Sequence, residues 1–343
     1  MKAVQITEPG KIDIIEKERP KIKNPTDVII KIKRVGICGS DLHIFQGHNP
    51  FASYPRVWGH EFVGEIVAIG QKVENVQIGD HVVGEPIKYC GECYPCRQGR
   101  GNVCENLKVY GVHIDGGCQE YVLMNSEHVY VVDKKISWDE AILIEPLTIG
   151  AQVCFRGDLQ KDDVILIMGS GTIGLCILQI AKTYGTTAIM TDIVDDKLND
   201  ASLLGADYVI NAKKEDVNER VMEITEDMGA NVIADTVCSK ESFEEAVSIA
   251  SAGGRVVVLG FGTTPSEIQQ VLITKKELTI VGSRLQTKRF PLVTKLVNER
   301  KLNLNTFVTH HYPIDKVEEA FNFAIDNPSL FRKIVIDDIN IVK

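Results

Sequence analysis

Val164-Ile165-Leu166-Ile167-Met168-Gly169-Ser170-Gly171-Thr172-Ile173-Gly174 is the stretch whose reading decides the fold. A short apolar run leads directly into G-x-G-x-x-G, and Ile173 to Tyr184 behind it carries apolar residues near three- and four-residue spacing. Strand, glycine turn and amphipathic helix in that order open a βαβ unit. In this context Gly169 makes the tight turn, Gly171 lets the backbone approach a pyrophosphate, and Gly174 allows close helix–strand packing. Thr172 and Ile173 start the helix, whose N-terminal N–H groups are placed to meet the phosphates. Asp192 ends the next strand candidate, where a carboxylate grips a ribose 2′-hydroxyl. Asp195 and Asp196 would meet a 2′-phosphate with only Lys197 to offset them, so NAD is expected rather than NADP. The plainer alternative is a glycine turn without a ligand.

Working outward, the strand–helix texture repeats through Ala188 to Thr191, Tyr208 to Ile210, Val232 to Ala234, Val256 to Leu259 and Leu278 to Val281. Helical spacing covers Lys197 to Leu204, Glu215 to Met228 and Ser242 to Ala250. Six short strands alternating with helices imply a doubly wound, parallel, six-stranded sheet, an α/β architecture. The first part of the chain has a different texture: Val28 to Val35 alternates apolar and charged residues, and Glu61 to Ile69 is a further strand candidate. This patterning predicts a compact β domain. After Phe290-Pro291 come a helix, a strand at Phe307 to Thr309, a helix near Val317 to Ile325 and a strand at Lys333 to Ile336, which are expected to return to that first domain.

The chain has 343 residues, of which 44% are hydrophobic and 25% charged, the balance of a globular protein of two domains. Lys plus Arg number 38 against 47 Asp plus Glu, and a formal charge of -9 argues against a nucleic-acid partner. No apolar run is long enough to span a bilayer, and no apolar stretch follows Lys2, so neither a membrane nor a signal peptide is expected. Nine cysteines, an odd count, then point to a reducing cytoplasm. Cys154, Cys176 and Cys238 read as small buried hydrophobes.

Cys90, Cys93, Cys96 and Cys104 form C-x2-C-x2-C-x7-C within a lobe of about 88–106 rich in turn residues. Four thiolates wrap one zinc ion in a closed structural site. Two disulfides are the arithmetical alternative, and an iron–sulfur cluster is a further one, without the usual C-x2-C-x2-C-x3-C-P ending. Elsewhere Cys38, His60 and Glu61 offer a thiolate, an imidazole and a carboxylate, and three ligands with an open position are the mark of catalytic zinc. Spacing alone leaves these as candidates.

Cys38, Gly59-His60-Glu61, the four-cysteine lobe, Glu145-Pro146 and Gly169 to Gly174 stand in the order found in zinc-dependent medium-chain dehydrogenases/reductases. The whole chain resembles that family, in its polyol and threonine dehydrogenase branch. The resemblance implies a GroES-like catalytic domain at 1–148 and 287–343, interrupted by a Rossmann domain at 149–286, with zinc and nicotinamide meeting in the cleft. It implies two zinc ions per chain, NAD, and a homodimer or homotetramer. It makes Glu145 a zinc ligand or the holder of a water on the metal, with Glu61 as the other candidate carboxylate. Ser40 and His43 match the family's hydroxyl-to-imidazole proton relay, and Asp41 is placed to orient His60.

Three stretches, Gly47-His48-Asn49-Pro50-Phe51, Gly111-Val112-His113 and Ser283-Arg284-Leu285 with Lys288-Arg289-Phe290-Pro291, resemble a bacterial group acting on sugar acids. That group comprises the L-galactonate and L-gulonate 5-dehydrogenases and a starvation-sensing-type protein. Arg284, just after the last strand of the doubly wound sheet, is the candidate anchor for a hexonate carboxylate, with Asn49 and His113 as hydroxyl partners. The expected activity is oxidation of a hexonate at C5 to its keto acid. The alternatives are a polyol, a butanediol or L-threonine as substrate, or a cofactor-binding protein of regulatory or structural role. Retention of Cys38, Ser40, His43, His60, Glu61 and Glu145 argues against loss of catalysis and excludes a zinc-free quinone reductase.

Overall fold

A computed structural model describes residues 1–337 and 339. The chain divides into two compact units: one holds Met1–Glu145, Phe290–Arg300 and the described residues from Leu304 onward, the other Pro146–Arg289 and Lys301–Asn303.

In the second unit the six-stranded sheet expected from the sequence is present. Its order is Tyr208–Asn211, Thr187–Asp192, Val164–Met168, Ala230–Asp235, Ala250–Val258, Thr279–Gly282, and each neighbouring pair is parallel. The first strand in sequence therefore lies mid-sheet, and the connections reverse direction beside it, which opens a crevice at its C-terminal end. Leu166, Ile189, Ile233 and Val256 have no exposed surface and form the core beneath the helices. Burying each such side chain contributes about 1.5–3 kcal/mol. Its helices include Thr172–Lys182, Asp195–Leu203, Val217–Ile224, Lys240–Ile249 and Gln270–Lys276, besides Ile144–Arg156 from Pro146 onward. Asp216 and Ser239 cap two of them by accepting from the N–H groups of Glu219 and Ser242. Gln270–Lys276 was not expected: its apolar residues Val271, Leu272 and Ile273 are consecutive rather than spaced by three or four.

The first unit is built on a seven-stranded sheet ordered Val129–Val132, His81–Gly84, Glu61–Ile69, Asp27–Ile37, Lys333–Asp337, Val308–Pro313, with Tyr121–Asn125 also paired to Asp27–Ile37. The closing strands do return to it, since Ile334 stands opposite Ile37. Lys333–Asp337 pairs parallel with Val308–Pro313, and the other pairings are antiparallel. Below the sheet Trp58, fully buried, meets Phe321 edge-on at 4.8 Å between ring centroids, and Phe45 does so at 5.4 Å. Among the described residues no helix is long and apolar enough to cross a membrane.

Candidate active site

Strand register explains why distant residues of the first unit converge. Gly36, near the end of Asp27–Ile37, stands opposite Glu61 on one side and Val335 on the other. Cys38 follows that strand end and His60 immediately precedes Glu61, so the two fall side by side. The donor atoms of Cys38, His60 and Glu61 lie within 4.8 Å of one another. The helix Gly39–Phe45 starts directly after Cys38 and turns Asp41 back on the cluster. Asp41 is fully buried; its Oδ2 accepts from the Cys38 N–H at 2.9 Å and its Oδ1 lies 3.3 Å from His60 Nδ1. This leaves Nε2 as the imidazole nitrogen available to a metal.

Burial works against a charge on His60, but Asp41 and Cys38 beside it hold its pKa well above the usual imidazole value. Glu145, at the start of the helix Ile144–Arg156, is 4% exposed. Burial, only partly offset by His60, pushes its carboxyl up to about 7. It stands outside the three-residue group but within reach of the charges of His60, Glu61, Lys333 and Asp41. Ser40 is half-buried and His43 exposed, both on the helix that carries Asp41. A thiolate, an imidazole and a carboxylate in this packing suit a divalent zinc ion, with Asp41 fixing the imidazole.

Lys333 is a member of this cluster that sequence reading missed. Its side chain and that of Glu61 are each 2% exposed; Nζ pairs with Glu61 Oε2 and donates to the Ile37 carbonyl at 3.1 Å. The signal available was a lone lysine opening an otherwise apolar closing strand.

In the lobe, Cys90, Cys93, Cys96 and Cys104 present their sulfurs within 4.8 Å of one another, with Cys90–Cys104 at 3.5 Å, Cys93–Cys104 at 3.8 Å and Cys90–Cys96 at 4.0 Å. Four sulfurs at the zinc–sulfur bond length around a tetrahedral centre stand about 3.8 Å apart. All nine cysteines are free thiols. N–H groups of Cys93, Cys90 and Asn106 point at sulfurs at 3.3–3.4 Å, and those of Cys93 and Glu92 help draw the Cys90 thiol down to about 6. The donor set fits zinc. Of the cysteines read as buried, Cys154 and Cys176 are fully so, while Cys238 is only half-buried.

In the other unit Gly169 takes φ +97°, and a Cβ on Gly174 would stand 1.9 Å from the Gly169 carbonyl, so both positions require glycine. Above Gly171 nothing lies within 4 Å, which leaves room for a phosphate at the start of Thr172–Lys182. Asp192 sits against this loop: Oδ2 accepts from the Ser170 N–H at 2.9 Å and Oδ1 from those of Ile193 and Val194 at 2.7 and 3.1 Å. A carboxylate offers about four acceptor positions, so one remains for a ribose hydroxyl. Lys197 lies half-buried on Asp195–Leu203. The expectation that only Lys197 offsets the acids needs correction, because Lys214 pairs with Asp195 at 2.7 Å.

The substrate candidates come from both units. Asn49 Oδ1 accepts from the Phe51 N–H at 2.9 Å and His113 Nδ1 from the Val109 N–H at 3.1 Å, so both shape local turns of the first unit. Arg284 belongs to the other unit, with its guanidinium 5.9 Å from the centre of the Phe261 ring.

Comparison with known proteins gives the family. Residues 24–134 match the family described as alcohol dehydrogenase GroES-like domain, and residues 172–299 that described as zinc-binding dehydrogenase. The starvation-sensing protein RspB of Escherichia coli K12 is 39% identical, over 94% of this chain and 95% of its own. The L-threonine 3-dehydrogenase of Pyrococcus horikoshii is 36% identical over 94% of each chain. The crystal structure of an alcohol dehydrogenase, RspB, from Escherichia coli CFT073 in complex with NADH superposes with a TM-score of 0.92 at 37% identity, covering 98% of this chain and 99% of that one. The chain belongs to the zinc-dependent medium-chain dehydrogenases/reductases, in the polyol and threonine dehydrogenase branch.

Proposed function

We propose that this protein oxidises a secondary hydroxyl of a hexonate, L-galactonate or L-gulonate at C5, to the keto acid, passing a hydride to NAD. The observation that carries the reading is the convergence of Cys38, His60 and Glu61, braced by Asp41, in a chain that also holds a glycine loop shaped for a dinucleotide. Zinc at that cluster supplies a Lewis acid that lowers the pKa of a hydroxyl, which makes hydride loss from the adjacent carbon easier. Asp41 keeps His60 in one orientation. Glu145, buried beside the cluster, is the second carboxylate of the metal site. Ser40 and His43 carry the substrate proton outward, Ser40 from the half-buried side and His43 at the exposed face of the same helix. Gly169 to Gly174 cradle the pyrophosphate through Gly169, Gly171, Thr172, Ile173 and Gly174, and Asp192 accepts from the ribose. The four-cysteine lobe holds the second zinc and takes no part in chemistry. The catalytic domain is assigned to 1–148 and 287–343 and the nucleotide domain to 149–286.

Substrate class rests on Arg284, whose guanidinium suits a carboxylate, with Asn49 and His113 as hydroxyl partners. The test is NAD reduction by the zinc-loaded protein against hexonates, neutral hexitols, butanediol and L-threonine. Turnover of L-galactonate or L-gulonate with hexitols inert, and a roughly tenfold or larger rise in KM for Arg284→Ala, is the expected result. Preference for a hexitol or threonine removes the sugar-acid assignment. Hexonate turnover unchanged in Arg284→Ala removes the anchor.

A further inference from the structure

Lys333 has no part in the reaction proposed for this site, yet it is a buried ammonium at its metal cluster. It opens the Lys333–Asp337 strand, which flanks Asp27–Ile37 on one side while Glu61–Ile69 flanks it on the other. Side chains from both neighbours thus meet over the end of one central strand. Gly36 leaves the space for them: a Cβ there would lie 2.0 Å from Glu61 Oε2 and 3.0 Å from Lys333 Cε. Nζ takes Oε2 and the Ile37 carbonyl, and both side chains are 2% exposed. Stability alone is a poor reason for such a pair, because desolvating two charges costs several kcal/mol and an apolar pair of similar volume often serves as well. What the arrangement does is local: one oxygen of Glu61 is tied to the ammonium, while its carboxylate stays in the group formed with Cys38 and His60.

We propose that Lys333 is a positioning residue that restrains Glu61 to one free oxygen, so that this carboxylate cannot close over the metal with both and a coordination position stays open for the substrate hydroxyl. The proposal rests on the zinc reading of the proposed function. Removing the ammonium has two consequences of the same sign for the metal: it frees Oε2 as a further donor, and it takes a positive charge away from a cation. The metal is then held more tightly and turnover falls. A lysine that merely fills and stabilises the core gives the opposite result on removal, a looser metal and a lower melting temperature.

The test uses the whole protein with zinc in the cysteine lobe and cobalt(II) at Cys38, His60 and Glu61. In Lys333→Met the cobalt d–d bands are expected to weaken as coordination number rises, cobalt release to a chelator to slow about tenfold, and kcat to fall about tenfold with KM little changed. In a Glu61→Gln background the same lysine substitution is expected to leave the spectrum unchanged, since the lysine sets the coordination number only through that carboxylate. If Lys333→Met does not accumulate as folded protein, Glu61→Gln with and without Lys333→Met carries the comparison: equal spectra support the proposal, and unequal ones overturn it. An unchanged spectrum in Lys333→Met, or faster cobalt release, also overturns it. A wild-type protein that takes up metal only in the lobe defeats the zinc reading first and the proposal with it.

Discussion

The cysteine lobe and the Cys38 cluster lie in the same unit and are assembled in opposite ways. In the lobe four like donors come from one short loop of local turns, flanked by the paired strands Ile87–Lys88 and Lys108–Val109. At Cys38 three unlike donors come from the ends of two neighbouring strands, and a third strand adds Lys333 from far along the chain. The lobe closes on itself with four sulfurs, while the other set stops at three and is surrounded by further charges: Asp41, Glu145 and Lys333. A closed set of soft donors gives a fixed brace, whereas a mixed and incomplete set gives a place for a ligand to enter. On the proposed reading, the difference separates structure from chemistry within a single unit.

Substitutions at the two clusters should therefore fail differently. Cys38→Ser is expected to cut kcat/KM about a thousandfold or more, the several kcal/mol that a Lewis acid contributes, with the melting temperature little moved. Steady-state kinetics beside a thermal melt would show the split, and an active Cys38→Ser would break the comparison. Cys104→Ser should do the reverse, losing one zinc and about 3 kcal/mol or more of stability, read as metal content and denaturant midpoint. A Cys104→Ser protein that melts like the wild type would deny the lobe its bracing role. Asp41→Asn, which leaves size and position intact, is expected to weaken metal affinity or activity about 10–100-fold, measured by competition with a chelator.

A smaller effect concerns pH. Burial works against the charge on Asp115, but Lys17, the Val57 N–H and Arg56 outweigh it and hold its carboxyl below the usual value. Its contribution to stability is fully present above the unfolded carboxylate pKa, about 3.9, and is lost as pH falls through the lower folded value. Asp115→Asn should flatten that acid-side dependence in melts taken between neutral pH and pH 3, and an unchanged slope would remove the assignment.

The same contrast between local and distant assembly decides which features are legible in the sequence. Local patterns can be read directly: the Glu61–Ile69 strand has the bounds that its apolar run suggests, and the lobe shows its donors in a single line of sequence. The glycine loop and its sheet follow from short apolar runs, since the inner strands of a parallel sheet covered on both faces are nearly continuous apolar runs. Lys333 cannot be read in this way. Its partners Ile37 and Glu61 are joined to it only by pairing across the sheet, at a separation of 296 residues for the Ile37 carbonyl. Lys214 escapes for the same reason, since it reaches Asp195 from beyond the next strand. Gln270–Lys276 escapes because its three apolar residues stand next to one another and leave no helical stripe in the sequence.

The central claim is that one of two zinc ions serves the chemistry and the other the fold. Native mass spectrometry during mild chelation, with activity and melting followed on the same samples, tests it most directly. The account predicts two zinc ions per chain at the outset and loss of one together with all activity while the melting temperature holds, with activity restored on adding zinc. Full activity in protein that retains zinc only in the lobe would contradict it.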